Sequence, residues 1–111
     1  MTIRQIIINC NSTAEAVKIG KAVLKKRFAA CYDVVPRLAT GYYWPPRKSS
    51  RLTTGKGAML FLTTQPRHVA KAMLLAKKLH TDRVPMMGTI MLNDVPRSYY
   101  DWLVNELAPH A

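Results

Sequence analysis

The hydrophobic positions of this chain fall into four short apolar runs and two longer segments of helical periodicity. The first run is rich in isoleucine, and three further runs are rich in β-branched or large apolar residues, as is typical of buried strands. The pattern therefore predicts strands over residues 3–10, 32–44, 58–63 and 84–92. The second strand is expected to bend at Pro36, and residues 47–57 read as a polar, basic turn.

The two periodic segments predict helices that each bury one face. Ser12 and Glu15 have the spacing of a capping box, and apolar residues then recur every three or four positions as far as Leu24. The second helix is expected to have Thr64 as its N-cap, Pro66 in its first turn and its end near Leu79. A short third helix is predicted to follow residue 96.

The resulting order, β-α-β-β-α-β with a terminal helix, defines a fold class. It predicts an α+β, ferredoxin-like sandwich with one antiparallel sheet and two helices on a single face. A chain of 111 residues has room for one core, so one domain over residues 1–111 is expected. Residues 6–8 and 59–62 are apolar on both faces of their strands, so the second face of the sheet also needs a cover.

The charge is strongly unbalanced, with 17 Lys and Arg against 6 Asp and Glu and a formal net charge of +11. Such a field attracts anions, including nucleic acid, acidic lipid and phosphorylated ligands, although a basic surface also serves solubility. No apolar stretch approaches the roughly 20 residues that span a bilayer, so no membrane association is expected. The two cysteines lack metal-ligand spacing and suit a reducing, cytoplasmic location.

The sequence lacks the usual signatures of catalysis, which predicts a protein that is not an enzyme. It shows no nucleophile with a spaced base and no carboxylate pair. The segment Gly55-Lys56-Gly57 has neither the upstream glycine nor the following Ser or Thr of a phosphate-binding loop.

Several short motifs appear in register over nearly the whole chain and resemble the CutA family, which is named for tolerance of divalent ions, chiefly copper. The matching residues are Cys10, the run Arg27-Phe28-Ala29-Ala30-Cys31, Pro36, the triplet Tyr42-Tyr43-Trp44, the set His80, Val84 and Pro85, and Tyr99 with Trp102-Leu103. The resemblance implies a role in metal-ion tolerance, with small-ligand binding or signalling in the manner of the architecturally similar PII regulators.

The resemblance also implies a homotrimer whose sheets pack inward around a three-fold axis with the helices outside. Tyr42, Tyr43 and Trp44 would then contact the neighbouring subunit. His80 would lie beside a cleft between subunits, although it could equally be a local hydrogen-bonding group at a helix end. Arg83 next to it favours an anionic ligand, and the cations predicted for that cleft are Arg27, Arg47 and Arg83.

Positions that are often acidic in the family are basic or neutral here, at Lys25, Lys26, Pro45, Arg83 and Met86. Oxygen ligands for a hard cation are therefore missing, and copper is the one cofactor that stays open. If a metal binds, soft ligands favour Cu(I), with Cys31, Cys10 and His80 as candidates and Cys31 first. The simpler interpretation of both cysteines is as small buried hydrophobic residues, and the strand order should keep them apart as free thiols.

A basic module for nucleic acid or another polyanion is the alternative function. RNA-recognition domains of this architecture stack bases on aromatic residues of the two central strands, whereas here those strands carry Phe61 alone. Recognition of bases is thus not supported by a motif, while attraction of phosphates to the outer helix faces stays open.

Overall fold

The computed structural model describes residues 1–109 and shows an α+β, ferredoxin-like fold. Its elements are β1 (Ile3–Cys10), α1 (Thr13–Lys25), β2 (Cys31–Trp44), β3 (Arg51–Thr64), α2 (Pro66–Leu79), β4 (Met87–Leu92) and α3 (Arg97–Glu106). A short 3-10 turn, Arg47–Ser49, joins β2 to β3. The predicted order of elements is confirmed.

One four-stranded sheet has the order β2-β3-β1-β4, and every neighbouring pair of strands is antiparallel. The central pair places Ile6 opposite Leu62 and Ile8 opposite Leu60. All four side chains are fully buried and pack in one cluster with residues of α1 and α2. Both helices therefore cover the same face of the sheet, and the main core lies between them and β1 and β3.

The terminal helix α3 forms a second, smaller core at one end of the sheet. Ile3, Leu103 and Leu107 are buried together there. Arg27 ties this end to α1, because its guanidinium donates to the Glu106 carbonyl at 2.9 Å and to the Glu106 carboxylate at 3.0 Å. Arg27 itself has φ 59, the left-handed conformation that ends α1.

The strands β2 and β3 continue well beyond β1, which ends where Cys10 pairs with Ala58 and Ala58 with Pro36. Residues 37–57 thus form a two-stranded projection, here called the hairpin arm, with an irregular register between Arg37 and Thr40. The arm makes the molecule long, at 48 × 27 × 24 Å. Its radius of gyration of 15.2 Å exceeds the roughly 13 Å of a rounder domain of this size.

Three sequence-based boundaries were wrong. The third strand begins at Arg51 instead of residue 58, because the polar residues of the predicted turn pair with β2 without burying an apolar face. The fourth strand begins at Met87, since residues 81–86 form a bend. Thr64 does not cap α2; its hydroxyl donates to the Phe28 carbonyl at 2.6 Å, and the N-cap position is Gln65.

The sheet face opposite α1 and α2 is largely open and carries apolar side chains beside polar ones such as Gln5 and Asn9. Its alternating positions include Ile7, Met59 and Phe61, which are half-buried, and Val35 and Ile90, which are exposed. No helix in the described part of the chain has the length and apolarity needed to cross a membrane.

Candidate functional site

A cavity of about 530 Å³ lies where the base of the hairpin arm meets the bend at residues 81–86. Its size falls within the range of small-molecule sites, roughly 300–1,000 Å³. The side chains that matter most for its chemistry are three cations, one carboxylate, two aromatic rings and two asparagines. These are Arg37, Lys56, Arg83, Asp82, Tyr42, Trp44, Asn9 and Asn11.

Arg37 is held across the arm by the end of β1. Its guanidinium donates to the Cys10 carbonyl at 3.2 Å and to the Thr40 hydroxyl at 3.5 Å. The side chain passes over Gly57, where a Cβ atom would overlap the Cys10 carbonyl oxygen, so only glycine fits at this position. The Arg37 Nε is buried and has no hydrogen-bond partner among the described residues, and the charge of the guanidinium is not neutralised by its two uncharged partners.

The cavity is positively charged overall. Arg37, Lys56 and Arg83 line it against a single acidic residue, Asp82, whose carboxylate accepts a hydrogen bond from Asn11 Nδ2 at 2.8 Å. Trp44 and Tyr42 add aromatic surface to the wall. Cations beside aromatic rings are a suitable environment for an organic anion with a planar group.

Directly behind the cavity wall lies a cluster of Cys10, Glu15 and His80. All three residues are buried, and one potential ligand atom from each lies within 4.8 Å of the others. The cluster joins the end of β1, the start of α1 and the end of α2. Sequence analysis proposed Cys10 and His80 but treated Glu15 only as part of a capping box.

Glu15 is fully engaged by hydrogen bonds. One carboxylate oxygen accepts from the backbone amide of Asn11 at 2.8 Å. The other accepts from the backbone amide of Thr81 at 2.9 Å and from the Thr81 hydroxyl at 2.6 Å. Burial disfavours ionisation of this carboxyl, but these hydrogen bonds and the nearby His80 outweigh it and lower the pKa of Glu15 below its usual value. The predicted capping box is confirmed, since the Ser12 hydroxyl accepts from the Glu15 amide at 3.1 Å.

Both ring nitrogens of His80 also have partners. Nδ1 accepts from the Asp82 amide at 3.0 Å, so the proton lies on Nε2, which is 2.7 Å from the Asn9 carbonyl and donates to it. Glu15 and His80 therefore hold the backbone on both sides of the cavity wall, at residues 9–11 and 80–82.

The same contacts decide whether the cluster fits a metal ion. Sulfur, nitrogen and oxygen donors are the right chemistry for a transition metal. However, His80 and Glu15 are already bound to backbone groups, and burial raises the pKa of the Cys10 thiol to about 11, which disfavours the thiolate that a metal needs. In this arrangement the cluster does not fit a metal ion and acts as a hydrogen-bonded support.

The other candidate metal ligand, Cys31, lies far from this cluster along the sheet. It begins β2 and pairs with Thr63, whereas Cys10 pairs with Ala58. Its sulfur is 3.5 Å from the Tyr99 hydroxyl, and burial together with Cys31 raises the pKa of Tyr99 to about 12. Both cysteines are free thiols, as the strand order predicted, and one chain does not bring them together.

The three predicted cations are also dispersed. Arg83 lines the cavity, Arg47 lies in the turn at the tip of the hairpin arm, and Arg27 is paired with Glu106 at the α3 end. The aromatic residues Tyr42, Tyr43 and Trp44 are on the arm and exposed.

Sequence reasoning missed Arg37 and Lys56 as partners of Arg83. One basic residue in each strand of a hairpin is a weak sequence signal for a shared binding site. The irregular register after Arg37 decides which face of the hairpin each side chain lies on. The pattern of hydrophobic and polar residues does not predict this irregularity.

The chain is similar in sequence and in structure to a known protein family. Residues 5–106 match the family model described as CutA1 divalent ion tolerance protein. The chain belongs to this CutA family. A divalent-cation tolerance protein CutA from Thermus thermophilus is 29% identical over 98 residues, which is 88% of this chain and 91% of that protein. A solved structure titled as the divalent cation tolerance protein of that organism has a TM-score of 0.85 at 27% identity, covering 97% of this chain and all of the other.

A CutA homolog from Danio rerio is also 29% identical over 98 residues. The match covers 88% of this chain but 63% of the zebrafish protein, so the chain spans less than two thirds of that relative's length. The CutA fold predicted from the motifs is therefore confirmed, and the link to divalent-ion tolerance follows from the family.

The engagement of Glu15 predicts a pH-dependent contribution to stability. Replacing it in Glu15→Gln keeps the shape but removes one acceptor oxygen, which should lower the free energy of unfolding by about 2 kcal/mol at pH 7. Because the folded pKa is below the ordinary value of 4.5, the contribution is present above that pH and is lost as the pH falls through the folded pKa. Urea denaturation at pH 7 and pH 3 would measure it.

The exposed carboxylate of Glu106 provides the control for this measurement. Glu106→Gln should change the stability at pH 7 by less than about 0.5 kcal/mol, since exposed ion pairs contribute little. A Glu15→Gln protein as stable as wild type at pH 7, or a deficit that persists unchanged at pH 3, would contradict the role assigned to Glu15.

Proposed function

We propose that this CutA protein is a cytoplasmic homotrimer without enzymatic activity, which contributes to divalent-metal tolerance by binding a small organic anion. The observation that carries the proposal is the cavity at the base of the hairpin arm. It combines three cations with two aromatic rings, and its one carboxylate is hydrogen-bonded to Asn11. Binding in such a site, coupled to the arm, is the kind of event that the PII-like regulators use for signalling.

The trimer is supported by two uncovered surfaces. The sheet face opposite the helices exposes Val35 and Ile90, and the hairpin arm exposes Leu38 at 81% and Tyr43 at 73%. Large apolar side chains concentrated in one region mark an interaction surface. Packing of three copies through these surfaces would satisfy the expectation that both faces of the sheet are covered.

The anionic nature of the ligand is supported by the donors that remain available. Arg37 donates to two uncharged groups, the Cys10 carbonyl and the Thr40 hydroxyl, so its charge is not neutralised, and Arg83 and Lys56 have no partner in the ion pairs of the described residues. Two or more cations around one pocket bind phosphate or carboxylate more strongly than a single exposed cation, because each hydrogen bond is charge-assisted.

Copper binding is a separate part of the proposal and rests on Cys31. This thiol is partly accessible, whereas Cys10 is fully buried with a raised pKa. Accessible thiolates are the ligands that Cu(I) prefers. In a trimer, a neighbouring subunit could add ligands that one chain does not provide.

The assembly predicts a specific effect of Trp44. Trp44 and Trp102 are exposed to similar extents, 41% and 43%, but only Trp44 lies on the arm. Wild-type protein should have three times the 12.5 kDa mass of one chain, and Trp44→Ala should weaken assembly by about 2 kcal/mol while Trp102→Ala has little effect. Light scattering over a dilution series measures both, and a monomer mass for wild type at micromolar concentration would exclude the trimer.

The anion site predicts that Arg83→Gln weakens binding of inorganic pyrophosphate about tenfold in calorimetric titration, since one charge-assisted hydrogen bond contributes roughly 1.5–3 kcal/mol. Arg97→Gln is the matched control, because it removes the same charge from an exposed arginine that pairs with Asp101 outside the cavity. Equal losses in the two variants would attribute binding to net charge, and no binding by wild type would reject the site for this class of anion.

The copper proposal predicts that Cu(I) titrated under reducing conditions binds wild type and Cys10→Ser alike but binds Cys31→Ser at least tenfold more weakly, because the thiolate is the principal ligand. Equal binding by wild type and Cys31→Ser would remove Cys31 from the site. Preferential loss in Cys10→Ser would instead point to the buried cluster.

A further inference from the structure

The solvent side of the helix layer carries an unusual concentration of positive charge. The exposed face of α1 and α2, here called the helix face, includes eight of the 17 Lys and Arg residues of the chain. They are Lys18, Lys21, Lys25, Lys26, Arg67, Lys71, Lys77 and Lys78, all exposed. Within α1, its C-cap and α2, the one acidic residue is Glu15, which is buried on the other side.

These cations have no carboxylate partners in the described structure. The ion pairs found among residues 1–109 join Arg27 to Glu106 and Arg97 to Asp101, His80 lies beside Glu15 as a neutral ring, and none of these contacts involves the helix face. Lys71 makes a cation-π contact with Phe28, at 5.9 Å from the ring centroid, which does not neutralise its charge. The positive potential of this face is therefore not offset locally.

The fold also arranges the charges in rows. Both helices bury their apolar residues against the sheet, so the lysines at spacings of three and four, such as Lys18, Lys21 and Lys25, lie in a stripe on the outside. The helices have 13 and 14 residues and are each about 20 Å long. About 20 Å of nucleic acid duplex presents roughly 12 phosphate charges, which is comparable to the eight cations.

We propose that the helix face binds the phosphate backbone of duplex nucleic acid without reading its sequence. Seven of the eight cations are lysines, which act as point charges toward phosphates, and α1 and α2 contain no Asn or Gln to read adenine and no exposed acidic residue to read cytosine in the major groove. Neither α1 nor α2 contains Phe, Tyr or Trp, so this surface has no platform for stacking the bases of a single strand.

A lipid surface fits these observations less well. Helices that bind membranes place several large apolar residues in the acyl layer. Here the apolar faces of both helices are used by the core, and Leu74, at 59% exposure, is the one large hydrophobic residue that the described parts of α1 and α2 expose. The electrostatic contact therefore matches a backbone of phosphates better than a bilayer.

This inference goes beyond the proposed anion cavity and does not depend on it. The helix face and the cavity share no residue, and a single chain carries the whole face. The proposed trimer would raise the number of faces to three and the apparent affinity accordingly, without altering the contact itself.

The experiment measures binding of a fluorescent 30-base-pair DNA of random sequence by anisotropy over a series of salt concentrations. The triple variant Lys18→Gln, Lys21→Gln, Lys25→Gln should lose about tenfold or more in affinity. The slope of log affinity against log salt should become shallower by about one for each phosphate contact removed. The matched control Arg47→Gln, Lys48→Gln, Arg51→Gln removes the same charge from the hairpin arm and should stay within about threefold of wild type.

Four results would overturn the proposal. They are equal losses in the two triple variants, an unchanged salt slope in the helix-face variant, tighter binding of the single strand than of the duplex, and tighter binding of phosphatidylserine vesicles than of DNA under the same salt. Light scattering on both variants checks that assembly is retained. Pyrophosphate binding should be unchanged in the helix-face variant, so failure of this inference and failure of the anion cavity are separable.

Discussion

The length of the central strand β1 is the constraint on which the rest of this structure depends. β1 has eight residues, whereas its neighbour β3 and the outer strand β2 have 14 each. Because β1 stops at Cys10, the longer pair continues without support as the hairpin arm. The cavity exists because the arm stands free beside the end of β1 and the bend at residues 81–86. Arg37 secures this junction by donating to the carbonyl of the last β1 residue.

The buried carboxylate of Glu15 stabilises the backbone at the same junction, where β1 ends. Where β1 ends and α1 begins, backbone amides of residues 11 and 81 have no partner in the sheet or in a helix. Glu15 accepts from both, and His80 binds the backbone of residues 9 and 82. A cluster of cysteine, glutamate and histidine resembles a metal site in composition, but its hydrogen bonds go to the backbone and stabilise the fold at this place. The example shows that donor identity alone does not define a metal centre, since the lone pairs must also be available.

The positive charge of the chain is distributed between two surfaces with different properties. The cavity is concave, contains aromatic rings and holds one of its cations, Arg37, by hydrogen bonds, as small-molecule sites do. The helix face is convex, lacks aromatic residues and carries lysines in stripes, as backbone-binding surfaces do. The net charge of +11 by itself does not distinguish these two cases, because it contains no information about which cations share a surface.

The sequence by itself determined the order of elements, the ferredoxin-like class and the CutA family, because periodicity and short motifs are local properties of the chain. It also indicated the capping box at Ser12 and Glu15 and the separation of the two cysteines. The tertiary structure alone decided that β3 begins at Arg51 and that Arg37 and Lys56 join Arg83 at one cavity. The tertiary structure also placed Arg27 away from Arg83, beside Glu106. It showed that Glu15, besides its place in the capping box, accepts a hydrogen bond from the backbone of Thr81. These outcomes depend on strand register and on contacts between residues 66 and 79 positions apart, which the local pattern of hydrophobic and polar residues does not encode.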